Sequence, residues 1–291
     1  MSGALRVGID VGGTSVEAVA LAADGSIAAR SRVRTERGED GVVASILDAV
    51  RILDTPASTI GIGVPGRIDA GRVFDAVNLG VRELHLAAAI AEATGVPVAI
   101  DNDVRAAALG ASARWDMPNL AYLNLGTGVA AGVVIDGRVV DGSSGVAGEI
   151  GHLAIDPGGP PCACGQRGCI EAFSGGGAIT QRAGEPLERV SLRADAGDEA
   201  ARRVVADLAR GAAAAVRVLA LAVDPERVLI GGGIARRGER LRDEIAGELA
   251  RAADGSAFLA SLRLAERIEI VSPDEAVGAV GAALVGDRLV A

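Results

Sequence analysis

The chain states one structural pattern twice, and that repetition limits its fold more than any single motif. Residues 5–10 form a short β-type run, a Gly12-Gly13 turn follows, and apolar alternation resumes over 16–21. Asp24-Gly25 is a hairpin signal, and 27–33 returns as a third strand. A helical period over 41–53, a buried strand over 60–64 ending at Pro65-Gly66, a helix over 84–94 stopped by Gly95 and a strand over 96–100 continue the unit. From residue 120 the order begins again, with strands at 120–125, 128–135 and 138–140 separated by a glycine turn and by Asp136-Gly137. A long helix at 198–223, a strand at 227–230, a helix at 238–251, a strand at 268–271 and a last helix at 276–285 follow. Hairpin-linked strands leading into β/α units, stated twice, predict an α/β fold of two lobes. At 291 residues the chain also exceeds the usual single domain. No low-complexity linker separates the halves, and the join is expected on a helix near 104–118.

Apolar residues make up 49% of the chain and aromatics only 2%, so alanine, valine and leucine must fill the interior. The net charge of −9 argues against a nucleic-acid surface and against an anionic membrane patch. All 29 basic residues are arginine. Without lysine there is no Walker-type phosphate loop and no Schiff-base chemistry. Phosphates would have to be held by backbone amides, hydroxyls, arginine or metal. The first residues run straight into a strand with no basic-then-apolar leader, and the longest apolar run, near 212–223, is interrupted by Arg217 and too short for a membrane span. Clustered thiols without a leader fit a reducing cytoplasm.

Those thiols lie in EIGHLAIDPGGPPCACGQRGCIE, residues 149–171. Cys162, Cys164 and Cys169 are all the cysteines of the chain, and His152 is one of its two histidines. Three thiolates and an imidazole suit the tetrahedral shell of Zn²⁺, and Gly165 and Gly168 allow the tight turns that bring the sulfurs together. Four protein ligands would close the shell and make the metal structural. A disulfide with a spare thiol, or three buried small apolar residues, is the alternative account. Glu149 and Glu171 bracket the block.

Three glycine turns recur at corresponding points: DVGGT at 10–14, GTG at 126–128 and GGG at 231–233. A glycine turn can aim successive N–H groups at an anion, and Thr14 and Thr127 add hydroxyls. Asp10 cannot bind phosphate directly but can hold Mg²⁺ through water. Gly231, Gly232 and Gly233 end an apolar strand, where a purine and ribose could pass close to bare backbone. Each turn alone is an ordinary tight turn; together they predict a nucleotide site comprising Asp10, Gly12, Gly13, Thr14, Gly126, Thr127, Gly128 and Gly231–Gly233, in a cleft between the lobes.

With DVGGT, DNDVRAAALG (101–110), LGTG (125–128), the cysteine block and LIGGG (229–233), the chain resembles the ROK sugar kinases of the bacterial glucokinase branch, within the actin-like ATPase superfamily. The resemblance runs through the whole chain in order. It implies two actin-like, ribonuclease H-like lobes around a central cleft. A small lobe would span 1–112, with the C-terminal helix at 275–291 packing back on it, and a large lobe would span 113–274 with the zinc site. It implies Asp103 as the general base that takes the proton of the attacking sugar hydroxyl. Gly66, Asn78, Asn102, Asp103, Glu149, His152 and Glu171 would contact the sugar. His152 would serve twice, with one ring nitrogen on zinc and the other toward the sugar. The expected activity is transfer from ATP, with Mg²⁺, to the 6-hydroxyl of a hexose, glucose first; a homodimer is also implied. Asp101 is expected only to cap the following helix.

The sequence departs from the family pattern at four places. Ser15 stands where a basic residue is usual, Ala130 and Ala131 follow the second turn where further glycine is common, Ala111 replaces a glutamate, and the segment after Asn78 lacks the usual proline and tryptophan. The two alanine methyls are expected close to the phosphates. These departures keep open another hexose or N-acetylhexosamine as acceptor, another phosphate donor, and a sugar sensor that no longer catalyses.

Overall fold

The computed structural model describes residues 5–289. Strands β1 (Leu5–Val11), β2 (Ser15–Leu21) and β3 (Ile27–Arg34) form an antiparallel meander, followed by α1 (Glu39–Leu53) and by β4 (Ala57–Val64), which runs parallel to β1. A small antiparallel sheet, β5 (Arg67–Asp69), β6 (Arg72–Ala76) and β7 (Val81–Leu84), precedes α2 (Leu86–Thr94). The next strand, β8 (Val98–Asn102), adds parallel to β4 and leads directly into α3 (Asp103–Trp115). The sheet order is β3-β2-β1-β4-β8.

The chain then forms β9 (Leu120–Leu125), β10 (Val129–Ile135) and β11 (Arg138–Val139), crosses the cysteine block, and enters α4 (Ile170–Ser174), α5 (Gly176–Ala183) and α6 (Leu187–Asp195). The longest helix, α7 (Glu199–Val223), starts on Asp198, whose Oδ1 accepts from the N–H groups of Ala200 and Ala201. After it come β12 (Arg227–Gly231), α8 (Glu239–Ala253), α9 (Ala257–Ser261), β13 (Ile268–Ile270) and α10 (Val277–Gly286). The second sheet has the order β11-β10-β9-β12-β13, with β9, β12 and β13 parallel.

Two compact units result. One takes in the residues up to 118, 134–146 and those from 276 on; the other comprises 119–133 and 147–275. The sequence reading divided the chain at 112/113 and returned 275–291 to the first lobe, leaving 134–146 with the second. Helix α3 belongs whole to the first unit, and the short sheet β5–β7 and the helices α4–α6 are elements beyond those expected from the sequence.

In the first unit Val7, Ile9, Val11, Ile60 and Ile62 face α1 and α2 across one side of the sheet, a core without aromatic side chains. The other side shows how alanine and glycine replace bulk. A methyl on Gly8 would overlap the carbonyl of Ala279, and one on Gly61 that of Ala282, so α10 lies on the sheet at backbone contact. Gly110 of α3 and Gly281 of α10 meet the same way. Such close packing gains dispersion contacts from the backbone itself, which offsets the scarcity of large side chains.

Candidate active site and metal site

In the second unit the cysteine block folds as a knuckle. Antiparallel bridges pair Ala154 with Cys169 and Pro161 with Arg167, and Gly165 (φ 90°) and Gly168 (φ 68°) take the left-handed turns between them. The ligand atoms of His152, Cys162, Cys164 and Cys169 lie within 4.8 Å of one another. Cys164 Sγ is 3.7 Å from Cys169 Sγ, and His152 Nδ1 is 3.9 Å from Cys162 Sγ. A tetrahedral zinc with Zn–S near 2.3 Å has edges of about 3.8 Å, so the donor set fits that ion in number, type and spacing. The three thiols are unbridged. Protonation is uneven across the set. The N–H of Gln166 pulls the exposed Cys164 thiol down to about 6, whereas burial pushes Cys169 up to about 12. Metal uptake must therefore release protons from the buried sulfurs.

The glycine turns are built by a common device. In the first, Gly12 N–H closes onto Ser15 O (2.9 Å), the Thr35 hydroxyl donates to Gly12 O (2.7 Å), and Thr35 N–H donates to Thr14 O (3.1 Å). Because a trans peptide sets C=O and the next N–H on opposite sides, the N–H of Gly13 faces away from Thr35. In the second turn, Gly126 N–H meets Gly128 O (3.0 Å), and the first amides of α5 hold the carbonyls: Gly176 to Gly126 O and Gly177 to Thr127 O, both 2.9 Å. The N–H groups of Thr127 and Gly128 consequently face away from α5. Thr14 and Thr127 are exposed, as turn hydroxyls offered to a ligand would be. At the third turn Gly231 lies against the Tyr122 ring and Gly232 takes φ 88° against Leu125 O, while nothing crowds Gly233. A cavity of about 450 Å³, lined by Leu187, Leu192, Gly233, Ile234, Arg237 and Arg240, opens beside it.

Asp10 sits near the end of β1, half-buried beside Gly278 of α10. Burial pushes its carboxyl up to about 7, the negative charges of Asp103 and Glu17 add to the shift, and Arg32 opposes it. A divalent cation there would hold it ionised. Asp103 is the first residue of α3. Its position is set by Asn102, whose Oδ1 accepts from Val104 N–H (3.0 Å) and Arg105 N–H (3.2 Å), with Nδ2 donating to Gly66 O (3.4 Å). The cap is thus Asn102 and not Asp101. Asp101 is buried and binds Arg105, equally buried, through Nε and Nη2, both at 2.7 Å. Arg105 continues to Gly145 O (3.1 Å) and to Asp141 (3.5 Å). Gly66 occupies φ 105°, a conformation that requires glycine, and a methyl on Gly13 would stand 3.7 Å from Cβ of the exposed Asn78.

In the second unit Glu149 is exposed at the start of the 150–152 turn, and its carbonyl accepts from His152 N–H (3.2 Å). Glu171 does more than border the knuckle. Its Oε2 accepts from Val129 N–H (2.9 Å) and occupies the space a side chain at Gly128 would need. The expectation for the two alanines after the second turn is corrected in part. Ala131 is buried inside β10 and its N–H is bonded to Gly148 O (2.8 Å), so its methyl is core; Ala130 is half-exposed. Sequence reading missed Thr35, Arg105 and the Gly175–Gly177 run. That run is plain in the sequence, but it opens a helix and therefore escapes a search for turns between strands.

Strand meanders ending in glycine turns, continued as β/α units around parallel strands, define the actin-like ATPase fold, here with a His-Cys₃ metal knuckle inserted. The chain belongs to the ROK family, whose sequence profile matches residues 6–287. It is 35% identical to a glucokinase of Halalkalibacterium halodurans, over 89% of this chain and 90% of that one. It is 33% identical to an N-acetylmannosamine kinase of Citrobacter koseri, over 78% and 82% of the two chains. The crystal structure of a ROK family glucokinase from Streptomyces griseus in complex with glucose and AMPPNP matches with a TM-score of 0.81 at 29% identity, covering 98% of this chain and 99% of that one.

Proposed function

We propose that this protein is an ATP- and Mg²⁺-dependent sugar kinase that phosphorylates the 6-hydroxyl of a hexose, glucose before others. The observation that carries the reading is the pair Asp10 and Asp103: Asp10 stands near the end of β1 at the first glycine turn, and the Asp103 backbone packs over Gly63, the residue that Asp10 pairs with on β4. One carboxylate can carry a metal–phosphate complex while the other serves as base. Similarity to glucokinases and to a glucokinase structure holding glucose and AMPPNP supports the substrates.

Phosphoryl transfer needs mainly positioning and charge neutralisation. Asp103, held at the start of α3 by the Asn102 cap, accepts the proton of the 6-hydroxyl as its oxygen bonds to the γ-phosphorus and the bridging bond to ADP breaks. Gly13, Thr14, Thr127 and Gly128 offer amides and hydroxyls to the phosphates, and Gly231–Gly233 with the adjoining cavity receives the nucleoside. Mg²⁺, held through water by Asp10, would neutralise charge on the transferring group. Asn78, Asn102, Glu149, Glu171 and the Gly66 backbone orient the sugar. His152 adds Nε2, since Nδ1 is the nitrogen turned to Cys162 in the knuckle. Zinc there would be structural, fixing the imidazole.

The similarity to an N-acetylmannosamine kinase supports a second acceptor class, N-acetylhexosamines, through the same chemistry. A homodimer rests on family resemblance, and a cytoplasmic location on the clustered free thiols, which suit a reducing compartment. Among the described residues no helix is long and apolar enough to cross a membrane.

ADP release from Mg·ATP across a panel of hexoses and N-acetylhexosamines, with Asp103→Asn in parallel, tests the reading. Turnover on glucose that falls by about 10²–10⁴-fold in the variant, with sugar binding retained, is expected for loss of a general base. Wild-type turnover unchanged in the variant would remove Asp103 from that role, and sugar binding without ADP release from any acceptor would sink the kinase reading.

A further inference from the structure

The strand register places three arginines on one face of the edge strand β3. Ser15, Glu17 and Val19 pair with Arg34, Arg32 and Arg30, and Asp10 pairs with Glu17, so Asp10, Glu17 and Arg32 form one row across three strands. Side chains in such a row share a face. Glu17 is the natural partner of Arg32 directly opposite, yet it is taken by Arg30, whose Nε and Nη2 reach Glu17 Oε1 at 2.9 and 2.7 Å. Arg32 instead turns along the sheet toward the glycine turn, where its Nη2 donates to Ser15 Oγ (3.0 Å). Ser15 is the residue that closes that turn, through Gly12 N–H. Ser15 carries no charge, and among the described residues Arg32 has no carboxylate at ion-pair distance. An exposed guanidinium is therefore held beside the turn, within electrostatic reach of Asp10 but in no close ion pair, and with donors to spare.

Charges on an edge strand also protect it from pairing with other chains. That role asks only for exposure. It does not account for Arg32 bending to the turn while Arg30 satisfies the glutamate.

On the reading that this turn receives donor phosphates, we propose that Arg32 is a phosphate-binding residue that reaches across from β3 to fix the terminal phosphates of a phosphoanhydride donor. The backbone spacing of strands, about 4.8 Å, puts β3 roughly 10 Å from Asp10, a span an extended arginine covers for the most part and phosphate completes. Guanidinium–phosphate bonds are charge-assisted and directional, so Arg32 would add orientation to the amides of the turn.

Binding, and not turnover, tests this, so that its failure is separable from failure of the kinase reading. Titration calorimetry with Mg·AMPPNP, Mg·tripolyphosphate and AMP would be run on the wild type, on Arg32→Ala, and on Arg32→Ala with Ser15→Lys. The expected result is that Arg32→Ala weakens Mg·AMPPNP about tenfold, as for one charge-assisted bond, and leaves AMP within twofold. Ser15→Lys in that background, which sets an ammonium at the same place, should recover most of the loss. Tripolyphosphate tells whether an inorganic donor shares the contact, and it would lose affinity in parallel if it binds. Unchanged Mg·AMPPNP and tripolyphosphate affinity in Arg32→Ala would overturn the proposal. So would an equal loss for AMP, a loss that Ser15→Lys does not recover, or a wild type that binds neither terminal-phosphate probe.

Discussion

Replacing Asp101 with alanine removes a carboxylate whose Oδ1 receives Asn102 N–H, Arg105 Nε and Arg105 Nη2, each at 2.7 Å. Its partner stays behind. Arg105 is 7% exposed and, among the described residues, keeps Gly145 O at 3.1 Å and the half-exposed Asp141 at 3.5 Å. Breaking a buried pair from one side costs about 3–5 kcal/mol, and the two remaining contacts put this case near the lower end, about 3 kcal/mol. For a unit of this size the unfolding midpoint moves roughly 2–4 °C per kcal/mol, so a fall of about 6–12 °C is expected. The double variant Asp101→Ala with Arg105→Met removes both charges and should return to within about 1 kcal/mol of the wild type. Thermal and urea unfolding of wild type, both single variants and the double close the cycle. Because Asn102 and Asp103 follow Asp101 directly, kcat should fall in the single variant and recover in the double. Additive losses, or a single-variant cost below about 1 kcal/mol, would refute the account of Asp101 as half of a buried pair.

Chelating the metal should reduce thermal stability and also sugar affinity, since His152 belongs to the knuckle and to the proposed sugar site; isothermal titration of glucose before and after chelation checks this, and unchanged affinity would sever the two roles. Gly128→Ala puts a methyl 2.5 Å from Glu171 Oε2, so the carboxylate must leave Val129 N–H; a loss of about 1–3 kcal/mol in stability is expected by denaturant titration, with weaker Mg·AMPPNP binding. The Asp10 carboxyl is raised to about 7 in the folded protein, so between its ordinary value near 3.8 and about 7 the folded state binds more protons than the unfolded one. Stability of the ligand-free protein should therefore decline as pH rises through that window, and Asp10→Asn should flatten the slope in pH-dependent unfolding.

How far the sequence could be read depended on whether a feature was carried by spacing or by contact. The meander 5–33 and the long helix after Asp198 were legible because alternation, Asp-Gly turns and a capping aspartate act locally. The knuckle was legible for the same reason, as its ligands sit within one loop and its glycines within one turn. Asp101 was misread because a carboxylate before a helix looks like a cap, and only the register of α3 brings Arg105 back over it. Ala131 was misread because the sequence does not tell where a turn ends and a buried strand begins. Thr35 and Arg32 could not be found from spacing at all. Each acts across a strand pair, at a distance along the chain that carries no pattern.

The same logic explains why the glycine turns are credible as anion sites although glycine turns are common. A turn that only reverses the chain can leave its carbonyls to water. Here the carbonyls of Gly12, Gly126 and Thr127 are each occupied by donors from behind, a buried threonine in one unit and the first amides of α5 in the other. Planar peptides then fix the following N–H groups on the open side, where they keep their dipoles for a ligand. In the second unit Glu171 ties this arrangement to the metal knuckle, because it leaves the knuckle two residues after Cys169 and ends on Val129 N–H, next to the turn. A metal in the knuckle would then help set the geometry of the second turn through this one carboxylate, a role beyond holding the loop closed.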